Sequence, residues 1–138
     1  MQLYNTMTRS KQTFTPAVEG RVNMYVCGIT AYDYCHIGHA RSAVVFDVMV
    51  RYLRSKGLEV RFARNFTDVD DKIIKRAQQE NSTSEAVAEK YIAAFYEDMD
   101  RLGILRADLE PRATGYIQEM VQLAKHLIDT GYAYATPS

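Results

Sequence analysis

The 138 residues suffice for one domain, and a chain of this length buries roughly 68–70% of its unfolded surface, so size leaves room for a core. Its 17 basic and 17 acidic residues cancel to a formal charge of zero, which argues against a dominant electrostatic footprint for RNA on this piece. No apolar run approaches the roughly 18 residues of a membrane span, and Met1-Gln2-Leu3-Tyr4-Asn5 lacks the layout of a secretion signal, so a soluble, cytoplasmic protein without membrane contact is expected.

Gln2-Leu3-Tyr4-Asn5-Thr6 has the composition of an edge strand, and polar sequence follows it as far as Pro16. Val22, Met24 and Val26 then alternate with Asn23, Tyr25 and Cys27, a pattern that predicts a buried strand. Gly28 is expected to release the chain into a turn carrying Cys35, His36 and His39, with Gly38 just ahead of a helix over residues 39–56. Ala40, Ala43, Val44, Val48, Val50 and Leu53 give that helix its apolar face, and Gly57 stands where a C-terminal glycine cap belongs. Leu58, Val60 and Phe62 alternate with Glu59, Arg61 and Ala63 over a second strand, 58–66, parallel to the first in a right-handed βαβ unit.

In such a unit the first turn of the helix offers unpaired N–H groups and the positive end of the helix dipole, a seat for phosphate. Gly38 leaves that approach open, and His36 and His39 flank it as donors, although polar residues capping a helix start would read the same way. Parallel sheets bind ligands beyond the carboxyl ends of their strands, so the turn and residues 65–72 are expected to face one crevice. Asp70 and Asp71 read as the cap and first-turn charge of a helix over 72–79.

Ser82, with Glu85 three residues on, fits a capping box opening a long helix. Its stripe is Val87, Tyr91, Phe95, Met99 and Leu102, and Gly103 closes it. A polar break at Asp108, Glu110, Pro111 and Arg112 precedes a third helix from Thr114, with Ile117, Met120, Val121, Ala124, Leu127 and Ile128 as its apolar positions and Gly131 after it. His126 reads as a surface residue of its last turns. Residues 132–136 predict another strand, and a strand that opens without a partner after it is expected of a chain cut from something longer.

His36-Ile37-Gly38-His39 spells HIGH. With Met24-Tyr25-Val26-Cys27-Gly28-Ile29-Thr30 upstream and Asn65-Phe66-Thr67-Asp68-Val69-Asp70-Asp71-Lys72-Ile73-Ile74 downstream, the chain resembles the cysteinyl-tRNA synthetases among the class I aminoacyl-tRNA synthetases. Leu3-Tyr4-Asn5-Thr6 and Glu110-Pro111-Arg112-Ala113-Thr114 extend the resemblance over essentially the whole chain. It implies an α/β fold, the first half of a Rossmann-like (HUP-type) parallel-sheet nucleotide-binding domain. The βαβ core would span about 20–113 and the start of a connecting insertion about 114–138.

The implied activity is ATP-dependent conversion of cysteine to cysteinyl-adenylate and transfer to tRNA(Cys), in a monomeric cytoplasmic enzyme using L-cysteine, ATP and Mg2+. His36 and His39 are then the catalytic pair, stabilising charge on phosphate oxygens, and Thr30, Tyr32, Asp33, Ile37 and Gly38 join them around ATP. Cys27, Gly28 and Thr67 would contact the amino acid. The lysine loop of KMSKS type, the second half of the nucleotide fold and an anticodon-binding region are absent, so the piece is expected to be inactive alone and to self-associate through unpaired strand edges.

Cys27, Cys35, His36 and His39 have the donor types of a local zinc site, but a gap of seven residues between the cysteines argues against one. The resemblance instead makes Cys27 a single Zn2+ ligand, with the other three outside this chain, and Cys35 a packed neighbour. Both thiols are expected to be reduced. Shape alone separates cysteine from serine by only about 1–3 kcal/mol, whereas a thiophilic metal rewards sulfur directly. Two other readings stay open: an ATP-dependent cysteine ligase acting on an amino-sugar acceptor, and a non-catalytic nucleotide-binding half-domain that binds ATP without turnover.

Overall fold

The computed structural model describes residues 1–136 and opens with an antiparallel hairpin, β1 (Gln2–Asn5) and β2 (Ser10–Thr13). β1 is the expected edge strand, whereas β2 is exposed throughout and has no apolar alternation to announce it. The turn sets the register: Arg9 takes φ 51°, the Asn5 side chain accepts the Met7 N–H at 3.0 Å, and Asn5 Nδ2 donates across to Gln12 at 2.9 Å.

β3 (Arg21–Thr30) and β4 (Glu59–Thr67) pair in parallel and α1 (Ile37–Ser55) joins them, the expected βαβ unit. Val22 and Val26 from β3, Val60 and Phe62 from β4, and Val50 and Leu53 from α1 close one buried cluster. Three expectations shift. β3 does not end at Gly28; it stays paired as far as Thr30, because an irregularity between Val26 and Ile29 absorbs the extra residue. α1 begins at Ile37 rather than His39, since His36 supplies the cap. Its buried face runs through Ala43, Phe46, Val50 and Leu53, while Val44 and Val48 are exposed: a sheet of two strands covers only one stripe of the helix. Gly57 caps α1 as expected, at φ 79°, with its N–H donating to the Arg54 carbonyl at 3.0 Å.

α2 (Asp71–Gln79) is capped by Asp70, whose carboxylate accepts the Lys72 N–H at 2.9 Å. α3 (Ser84–Arg101) is capped by Thr83, not by the expected Ser82–Glu85 box. Asn81 ends α2 at φ 49° and the Ser82 N–H donates to Ala77 at 2.9 Å, which leaves Thr83 as the cap. Val87, Tyr91, Phe95 and Met99 are buried as expected, and with Ala31, Phe66 and Ile73 they form the larger cluster. Leu102 falls outside it, 53% exposed at the helix C-cap ahead of Gly103.

The polar break proves partly strand-like. Arg64 and Phe66 donate their N–H groups at 2.9 Å to Leu109 and Pro111, so residues 109–112 lie along the outer edge of β4. A 3-10 turn (Ala113–Tyr116) then leads into α4 (Ile117–Asp129), of which no residue is buried; its expected apolar positions, Met120 and Val121 among them, are exposed, as is His126. Residues 132–136 are irregular instead of the expected strand, for a strand needs a second backbone to take its hydrogen bonds, and among the described residues none lies there. Among the described residues no helix is long and apolar enough to cross a membrane.

Candidate functional site

The mouth of α1 is a capping box made of two histidines. His36, the N-cap, accepts the Gly38 N–H on Nδ1 at 3.0 Å, and His39 Nδ1 accepts the His36 N–H at 3.2 Å. A backbone N–H can only donate, so both Nδ1 atoms are proton-free and each neutral ring carries its proton on Nε2. The rings lie 4.0 Å apart at 31°. In both rings Nδ1 holds the helix, while Nε2–H remains to donate. Burial, and then the neighbouring His36, hold the His39 pKa below its usual 6.5. Gly38 is required by this box, because a Cβ there would come within 2.9 Å of the His36 ring.

The loop before α1 is tied down twice where it leaves β3. The Ala31 N–H donates to the Thr67 carbonyl at 3.1 Å, and Arg76 from α2 donates to the Tyr32 carbonyl at 3.1 Å. The result is a hollow of about 350 Å³ walled by Thr30, Tyr32, Asp33, His36 and His39, all expected around ATP. Lys72 also lines it, with Nζ 5.3 Å from the centre of the Tyr32 ring. Sequence reasoning placed Lys72 at the start of a helix and at the end of the segment 65–72 expected to face the crevice, without giving it a role there. Ile37, expected near ATP, is 86% exposed and lines no part of this hollow.

A smaller hollow of about 80 Å³ adjoins the first, bounded by Cys27, Ser42 and Arg64 and sharing Gly28, Ile29 and His39 with it. Cys27 and His39 thus open onto a common space. Val26 pairs with Arg64 and Ile29 with Phe66, so Cys27 and Gly28 together face Asn65. Gly28 is required there, since a Cβ would sit 1.5 Å from the Asn65 carbonyl oxygen. The Arg64 side chain, 7% exposed, lies beneath; burial lowers its pKa while Glu110 and Asp47 pull it back up.

Cys27 is an exposed free thiol. Cys35 packs against the larger cluster, and burial, helped by Asp98, pushes its thiol pKa up to about 11. Thr67 ends β4 half-buried and lines neither hollow; its Oγ1 lies 3.5 Å from Asn65 Nδ2. Among the described residues no group of three or more His, Cys, Asp or Glu side chains is placed to hold a metal ion. Cys27 fits the part of a single soft donor.

A parallel βαβ unit whose helix mouth opens beyond the carboxyl ends of both strands is the arrangement of a nucleotide-binding α/β domain. The family model described as tRNA synthetases class I (C) catalytic domain matches residues 13–138. The chain therefore belongs to the family of class I (C) tRNA synthetase catalytic domains.

Over all 138 residues it is 75% identical to a cysteine–tRNA ligase of Nitratidesulfovibrio vulgaris (strain DSM 19637 / Miyazaki F) and 70% identical to one of Solidesulfovibrio magneticus, spanning 28% of each relative's length. A cysteine–tRNA ligase of Chromohalobacter salexigens is 59% identical over 134 residues, 97% of this chain and 29% of that protein. Mycobacterium tuberculosis methionyl-tRNA synthetase in complex with methionyl-adenylate superposes with a TM-score of 0.74 at 19% identity, over 80% of this chain and 22% of that one, so the Rossmann-like fold is shared.

Proposed function

We propose that these residues are the cysteine-activating part of a cysteine–tRNA ligase, a monomeric cytoplasmic enzyme. What carries the reading is a pair of adjoining hollows that share His39, one bounded by Cys27 and the other by the two-histidine helix mouth. Relatives named cysteine–tRNA ligase, one of them 75% identical over the whole chain, support it.

In the reaction the carboxylate of L-cysteine attacks the α-phosphorus of ATP, which enters with Mg2+; an O–P bond forms, the bond to the leaving pyrophosphate breaks, and the adenylate then passes its acyl group to tRNA(Cys). The protein's part is positioning and charge stabilisation. Nε2–H of His36 and of His39 and the first N–H groups of α1 would meet the phosphate oxygens, with Thr30, Tyr32, Asp33 and Gly38 shaping the seat and Lys72 adding a cation at its rim. Cys27, Gly28 and Thr67 would hold the amino-acid end.

Zinc, when bound, would supply a sulfur-selective Lewis acid, and Cys27 is the side chain here fit to hold it. Residues 20–113 form the proposed nucleotide core and 114–138 the start of a connecting insertion, a division supported by the exposure of every residue of α4. The test is charging of tRNA(Cys) with labelled cysteine. A chain carried to the length of its relatives should charge it and the 138-residue chain should not; charging by the short chain would overturn its proposed dependence on further segments.

A further inference from the structure

The Gly28 N–H lies where the β3–β4 ladder jumps from Val26–Arg64 to Ile29–Phe66. Its acceptor is a side chain, Asn65 Oδ1, at 2.8 Å. The same oxygen accepts the Tyr25 hydroxyl at 2.9 Å, and Asn65 Nδ2 lies 3.5 Å from Thr67 Oγ1. This amide orientation is fixed chemically, because a backbone N–H cannot accept and so must meet the oxygen. Asn65 therefore sits between the Cys27–Gly28 pair and Thr67, the groups assigned to the amino-acid end.

The bulge has a definite purpose. Val26 and Ile29, three positions apart, pair with the buried Arg64 and Phe66, whereas a regular strand would send them to opposite faces. The extra residue leaves an N–H without a ladder partner, and such a group left unsatisfied costs about 1–3 kcal/mol where water is excluded. Asn65 takes that N–H, while the missing Cβ of Gly28 lets the Asn65 backbone approach.

We infer that Asn65 is a positioning residue for cysteine recognition: Oδ1 fixes the bulge that presents Cys27, and Nδ2 faces the Thr67 hydroxyl 3.5 Å away. The link to cysteine rests on the reading of Cys27 proposed above; the link to the bulge does not.

Amide hydrogen exchange and thiol alkylation on the 138-residue chain test the second link without any activity assay. In the native chain the Gly28 amide is protected. Asn65→Leu speeds its exchange about tenfold or more, the equivalent of one lost hydrogen bond, and changes the alkylation rate of Cys27 but not of Cys35. Asn65→Asp, which keeps the acceptor, restores both. An unprotected native Gly28, an Asn65→Leu chain with native Gly28 and Cys27 behaviour, or an Asn65→Asp chain without rescue would each overturn the inference. If Asn65→Leu does not fold, native protection and the Asn65→Asp chain decide. In the chain carried to its relatives' length, Asn65→Leu raises KM for cysteine and leaves KM for ATP unchanged; native KM for cysteine despite a loosened Gly28 would overturn the recognition role alone.

Discussion

Arg76 and Asp33 meet at 2.6 Å across the space between α2 and the loop that precedes α1. Asp33 also accepts the Tyr34 N–H at 2.9 Å, so this residue, expected beside ATP, braces the wall of the hollow from within the loop. Removing the guanidinium with Arg76→Met should speed amide exchange at residues 32–34 and weaken ATP binding. Global stability should fall by only about 1 kcal/mol or less, since both side chains are partly solvated. Calorimetric titration with ATP beside a thermal melt checks both.

Three glycines separate close approach from simple permissiveness. Gly28→Ala drives a Cβ into the Asn65 carbonyl and should cost about 3 kcal/mol. Gly38→Ala displaces the His36 ring, costing about 1 kcal/mol of capping together with ATP affinity. Gly115→Ala meets nothing within 4 Å and should stay within about 0.5 kcal/mol of the parent. Urea unfolding of the three variants ranks them.

The histidine box makes a pH dependence with a definite sign. His39 is held below 6.5, so the folded chain binds fewer protons than the unfolded one between that lowered value and 6.5. Its contribution is fully present above pH 6.5 and is lost as the pH falls through the folded value. His39→Gln keeps an acceptor for the His36 N–H and should flatten the melting temperature against pH in that window.

The two thiols should differ in reactivity. With its pKa up to about 11 from an ordinary 9.0, Cys35 at pH 8 carries about a hundredfold less thiolate than an ordinary cysteine, and it is half-buried besides. Iodoacetamide followed by mass spectrometry should modify Cys27 first and leave Cys35 largely untouched until the chain is unfolded.

The βαβ unit was legible because Val22, Val26, Val60 and Phe62 recur at the period of a strand and the α3 stripe at that of a helix. β2 was not, since a polar edge strand is defined by the backbone beside it. At Gly28 the sequence pointed to the end of a strand; only the position of Asn65, 37 residues away, shows that the glycine lets another backbone approach. The segment 65–72 was expected at the crevice, but the partners that Asn65 and Lys72 find there, and the reach of Arg76 to the Tyr32 carbonyl, come from tertiary contact and leave no local pattern. The valines of α1 show the limit of periodicity: it finds an apolar helix but not which stripe the sheet covers.

The most direct test of cysteine selection beside the helix mouth is amino-acid-dependent ATP–pyrophosphate exchange by the chain carried to its relatives' length. Cysteine should drive exchange and serine should not, and Cys27→Ser should sharply lower kcat/KM for cysteine. Exchange driven equally by serine, or unchanged by Cys27→Ser, would contradict the role given to the thiol on β3.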